Sequence, residues 1–124
     1  MASTSPVLKK MSPQLRVAHL GAAIEFYTQK LGFTLDFRYE DFYAGIMRDG
    51  HSIHLKWVDC PENEKDRDDL DIFFSVDNIE AFYKEVQNKS VQILQPLRDM
   101  PYGKEFYIAD PDGHHIGFVE ETHP

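Results

Sequence analysis

The 124-residue sequence predicts an α+β domain of two βαβββ modules, in which a curved mixed sheet encloses a cup-shaped site. The first observation behind this is an internal repeat. Gly50-His51-Ser52-Ile53-His54-Leu55-Lys56-Trp57 aligns without gaps on Gly113-His114-His115-Ile116-Gly117-Phe118-Val119-Glu120, and an aspartate, Asp49 or Asp112, precedes each copy. The second is a pair of amphipathic helices upstream of the copies, one carrying Phe26-Tyr27 and the other Phe82-Tyr83. The strand copies are offset by 63 residues and the helices by 56, so the second half holds about seven residues of additional loop. The third is size: 42% hydrophobic residues over this length furnish one core, and two independent domains would each be marginal.

The domain is expected over residues 12–121, with repeats at 12–58 and 69–121 and a flexible tail at 1–11. Alternation and turn residues predict strands at 14–18, 34–39, 42–48 and 52–58, then at 70–76, 91–96, 105–109 and 115–120. The first helix follows Gly21, presents Ile24, Tyr27 and Leu31 on one face, and stops at Gly32, a residue that accepts the left-handed conformation. The second is expected at 78–88, with Ile79, Phe82, Tyr83 and Val86 on its apolar face; Asp77 caps it and Glu80 completes a capping box. Asp49-Gly50 and Asp110-Pro111-Asp112-Gly113 read as hairpin turns, and the charged, proline-containing run Asp59 to Asp69 as the connection between halves.

Side-chain parity divides four of these strands into two faces. Leu15 and Val17, Ile53, Leu55 and Trp57, Leu70, Ile72, Phe74 and Val76, and Ile116 and Phe118 are expected beneath the helices. Gln14 and Arg16, Ser52, His54 and Lys56, Asp71, Phe73 and Ser75, and His115, Gly117 and Val119 then line the cup. The candidate ligand-binding residues from this face are Ser52, His54, Lys56, Asp71, Phe73 and His115, joined by the aromatic residues Tyr43 and Phe106 on neighbouring strands. No residue is assigned a catalytic role.

With 21 acidic and 13 basic residues the net charge is −8, which disfavours nucleic acid as a partner. The same balance suits a cationic or neutral ligand, or serves solubility alone. No run approaches the roughly eighteen apolar residues of a membrane span, and residues 1–11 lack a signal-peptide core, so the expected setting is the cytoplasm, without membrane contact. The single cysteine, Cys60, permits no internal disulfide, and its neighbour Asp59 argues against a reactive thiolate.

Leu15-Arg16-Val17, Ile24-Glu25-Phe26-Tyr27, Leu31-Gly32-Phe33, Ser75-Val76-Asp77-Asn78 and Asp110-Pro111-Asp112-Gly113, in this order and spacing, resemble the vicinal oxygen chelate superfamily. That superfamily includes glyoxalase I, ring-cleaving dioxygenases, fosfomycin-resistance enzymes and bleomycin-resistance proteins, and the resemblance spans roughly 13–121. In its metal-using members it implies ligands at positions equivalent to Ser12, His54, Asp71 and Gly117. Only His54 is a good imidazole donor there, Asp71 offers oxygen, and catalytic sites normally take three protein ligands. The expectation is therefore no metal and no cofactor, with His54 and Asp71 the candidates should a divalent ion bind and His115 a further partner for His54. His51 and His114, beside hairpin glycines, read as exposed turn residues; His19 lies at a helix entry and His123 in the tail.

Pro13-Gln14-Leu15, thirteen residues before Phe26, resembles the first strand of the bleomycin-resistance branch. This resemblance implies metal-free sequestration of a cationic drug by a homodimer that exchanges its first strand and binds ligand between chains. The expected function is thus metal-free binding of a small molecule, a cationic or aromatic antibiotic. The alternatives are a metal-dependent lyase, isomerase or dioxygenase, and an interaction module with a vestigial cup.

Overall fold

The structure is a computed structural model that describes residues 5–61, 65, 66 and 68–122. Parts of the expected tail (1–4) and connecting loop (62–64 and 67), together with His123, lie outside the described residues. Each half forms a four-stranded mixed sheet, and no barrel closes. In the first, β1 (Gln14–Val17), β2 (Thr34–Tyr39), β3 (Tyr43–Arg48) and β4 (His51–Trp57) lie in the order β1-β4-β3-β2. The second repeats that order as β5-β8-β7-β6, from β5 (Ile72–Ser75), β6 (Gln92–Met100), β7 (Gly103–Ala109) and β8 (His115–Glu121). The first and last strands of each half run parallel, which requires a crossover, and a helix supplies it each time.

Helix α1 (Leu20–Glu25) continues into a π-helical turn, Phe26–Lys30, before Gly32 ends it at φ 75°. Phe26, Tyr27 and Leu31 are all buried there. Helix α2 (Ile79–Asn88) is not capped as expected. Its first residue follows Asn78 at φ 49°, no side chain of Asn78 caps it, and the Ile79 N–H is met by Glu120 Oε1 from β8 at 2.8 Å. Glu80, the expected capping-box partner, pairs with Lys104 instead.

The predicted parity places Leu15, Val17, Ile53, Leu55, Ile116 and Phe118 in one core shared by both halves. Three expectations are corrected. Trp57, the last residue of β4, is 44% exposed, beside the first residues of α1 rather than beneath the helix. Phe106 is fully buried, packed on Tyr83 at 4.9 Å and Phe118 at 5.1 Å, and so lies under α2 rather than in the cup. Strand β6 continues past Pro96 to Met100, leaving only Pro101 and Tyr102 to turn into β7; the pairing shifts register between Gln95 and Arg98, so an irregularity accommodates the proline.

The halves meet through their helix-covered faces. Phe33 packs on Phe74 at 6.3 Å between ring centroids, Arg48 lies 5.2 Å over Phe82, and Tyr27 Oη donates to Asp110 Oδ2 at 2.6 Å. Asp110 also receives the Asp112 and His114 N–H groups on Oδ1, while His114 Nδ1 sits 2.8 Å from Oδ2. His114 is therefore 3% exposed, not a surface turn residue: the turn folds inward to meet α1, and Ala18 N–H closes onto Asp112 Oδ1. With the core between them, the helix-free faces of the two sheets are turned away from each other.

Candidate functional site

On the first sheet the helix-free face is organised by Gly45. A Cβ at that position would sit 2.2 Å from the Phe37 ring, so the glycine lets Phe37 lie flat across the strand. Phe37 then stacks on Tyr43 at 6.1 Å and meets His54 edge-on at 5.2 Å. Register puts Gln14 and Gly45 on either side of His54. Gln14 Nε2 donates to Tyr43 Oη at 3.0 Å, and Tyr43 Oη lies 2.8 Å from His54 Nδ1. The other ring nitrogen, His54 Nε2, is buried without a protein partner, as are Ser12 Oγ and Ser52 Oγ. Lys56 is exposed at the end of the same row. Tyr43, Ser52, His54 and Lys56 thus share one face, and Phe37 and Gln14, which were not among the candidates, complete it.

The candidates from the second half do not gather in the same way. Phe73 is 62% exposed on the helix-free face, opposite Gly117 in the pairing. Asp71 accepts from Lys65 and from the His115 N–H at 2.8 Å. Burial pushes its carboxyl up, but these donors outweigh it and hold it below the usual range. His115 is buried at the head of β8, with Nδ1 3.0 Å from the Asp69 carbonyl oxygen. Both side chains therefore fasten the connecting loop to β8.

A polar group the sequence did not reveal lies further along this face. Glu105 receives Arg98 Nε at 2.8 Å and Nη2 at 2.5 Å, Tyr107 Oη at 3.0 Å, and the Tyr102 hydroxyl. Burial raises the Glu105 carboxyl, yet the donors bring it below its ordinary value, while the hydrogen bond to Glu105 pushes the Tyr102 phenol up to about 12. Arg98 and Tyr102 fell outside the predicted strands, so nothing in the alternation tied them to Glu105.

The four positions where metal-using relatives carry ligands do not make a donor set here. His54 is held by Tyr43, Asp71 by Lys65 and His115, and a Cβ on Gly117 would be 2.6 Å from Leu70 Cδ1. Among the described residues no group of three or more His, Cys, Asp or Glu is arranged to hold a metal ion. A separate open groove of about 840 Å³, lined by His19, Leu20, Glu40, Asp41, Phe42 and Trp57, lies where α1 begins and contains none of the candidate residues. None of the buried unpaired atoms of the first sheet belongs to a residue that lines that groove.

The sequence profile of the Glyoxalase/Bleomycin resistance protein/Dioxygenase superfamily matches residues 10–118. The chain belongs to this superfamily. Among curated relatives, the bleomycin resistance protein of Geobacillus stearothermophilus is 30% identical over 128 residues, covering 88% of this chain and 94% of the relative. A superfamily member from Alicyclobacillus acidocaldarius superposes with a TM-score of 0.81 at 16% identity, covering 93% of this chain and 92% of the other. The bleomycin-binding protein of Streptomyces verticillus, solved with copper(II)-bleomycin, superposes with a TM-score of 0.74 at 20% identity, covering 95% and 100%. The superfamily's duplicated fold is thus present over nearly the whole chain.

Proposed function

We propose that this chain is a metal-free binding protein that sequesters a cationic or aromatic antibiotic, with bleomycin the first ligand to test. The observation that carries this reading is the helix-free face of the first sheet, where Phe37 and Tyr43 flank a histidine whose outer nitrogen is buried and unpaired. Flat aromatic surface beside a few unmet polar atoms is the composition of small-molecule sites. The kinship with a bleomycin resistance protein supplies the ligand class. The metal-dependent alternative would find Asp71 engaged by Lys65 and the His115 N–H, no side chain at Gly117, and only a neutral hydroxyl at Ser12 to join His54.

The binding unit in this proposal is a homodimer. Each chain turns its two helix-free faces apart, so a groove with two walls forms when the first sheet of one chain meets the second sheet of its partner. The expected setting is the cytoplasm. No helix among the described residues is long and apolar enough to cross a membrane.

Calorimetric titration and thermal melting with bleomycin, with and without copper, test the function. Binding should raise stability by about 2.7 kcal/mol at a free concentration one hundred times Kd. No heat and no thermal shift with bleomycin or a panel of planar cationic drugs would refute the proposal.

A further inference from the structure

The hydrogen-bond chain through Tyr43 fixes more than the position of His54. A phenol carries one proton. Gln14 Nε2 donates into the Tyr43 oxygen, which leaves the Tyr43 proton available to His54 Nδ1, 2.8 Å away. With Nδ1 accepting, the neutral imidazole carries its hydrogen on Nε2. That N–H is buried and has no protein acceptor, and Ser12 Oγ and Ser52 Oγ are buried without partners on the same face. The His54 backbone N–H donates to the Pro13 carbonyl at 2.8 Å, and the β1–β4 register, carried two residues upstream of Gln14, sets Ser12 beside Ser52. Buried polar groups are normally satisfied, and three unmet in one cluster make a hydrogen-bonding surface that awaits a complement.

We propose that Ser12, Ser52 and His54 form the polar end of the ligand site, and that it takes an acceptor oxygen of the ligand, a carbonyl or carboxylate, on His54 Nε2–H. This rests on the binding function proposed above and specifies the chemistry that function recognises. Two hydroxyls can turn to donate or accept, but the imidazole N–H only donates; the site therefore selects oxygen with free lone pairs over an ammonium group.

Long-range ¹H–¹⁵N correlation spectra of the ¹⁵N-histidine-labelled protein, with His54 assigned by its loss in His54→Gln, read the tautomer before any ligand is added. A proton on Nε2 and a bare Nδ1 are expected; a proton on Nδ1 would overturn the proposal whether or not bleomycin binds. Titration with acetamide and with acetate should shift the His54 Nε2–H signal saturably, whereas methylammonium should not, and the two oxygen probes distinguish a carbonyl from a carboxylate. Ser52→Ala removes an unmet buried hydroxyl, so it should fold at least as well as the wild type while weakening the response several-fold. An Nε2–H signal indifferent to both oxygen probes would mean that the three atoms are satisfied by water alone and would overturn the subsite. Failure of bleomycin with success of acetamide would instead count against the antibiotic and leave the acceptor-oxygen chemistry standing.

Discussion

Tyr27 couples two places 83 residues apart through one proton. Burial pushes its phenol well above the ordinary value, and the carboxylate of Asp110 adds to the shift, so the hydroxyl stays protonated and donates. Tyr27→Phe keeps the ring contacts with Phe26 and Phe33 but leaves Asp110 Oδ2, in a side chain with no exposure, with His114 alone. The variant should lose about 1–3 kcal/mol in urea unfolding, with bleomycin affinity unchanged. An unaltered midpoint would show that the bond adds nothing. At this scale the sequence is partly legible. Asp110-Pro111-Asp112-Gly113 is readable as a turn from its residue types alone, yet the burial of His114 is not, because the turn that holds it packs against Tyr27 and Ala18 from the other end of the chain. Tyr43 and His54 are both among the expected ligand-binding residues, whereas Gln14 is expected only as a member of the cup face and Phe37 is not among the candidates. Their importance lies in contacts across strands, which spacing along the chain does not encode.

Helix α2 shows how an element can be placed correctly and begun by other means. Its apolar positions define the span to within a residue, because their period is local. Its start depends on Glu120, 41 positions away, whose Oε1 satisfies the Ile79 N–H. Glu120→Ala should lower stability by about 1 kcal/mol and speed amide exchange in the first turn of α2, while Asp77→Ala should do neither. Equal effects from both would restore the capping box read from the sequence. Strand β6 gives the complementary lesson. Expected over 91–96, the strand pairs to β7 through a shifted register as far as Met100. Edge position and local irregularity made Pro96 tolerable, and neither is visible without the neighbouring strand.

At the scale of the whole molecule the duplication was legible because it is written twice. Both sheets keep the order of the first-half strands, and the parity of β1, β4, β5 and β8 separates core from open face apart from Trp57 at a strand end and Leu70, which precedes β5 and lies against the open-face position Gly117 rather than beneath the helices. What the repeat could not reveal was how its halves face one another. That is set by Phe33 on Phe74, Arg48 over Phe82 and the bonds around Asp110, all between residues with no counterpart in the aligned strand copies.

The outward turn of the two open faces has a consequence for stoichiometry. In the proposed dimer each groove takes one wall from each chain, so there are two grooves and neither belongs to a single subunit. A chain carrying His54→Ala and a chain carrying Phe73→Ala would each form homodimers in which both grooves are damaged. Mixed and reassembled, they should form heterodimers with one groove intact and one doubly defective, restoring about a quarter of the bleomycin-binding sites when pairing is random. Capacity measured before and after mixing decides the matter, because a site contained within one chain would recover nothing.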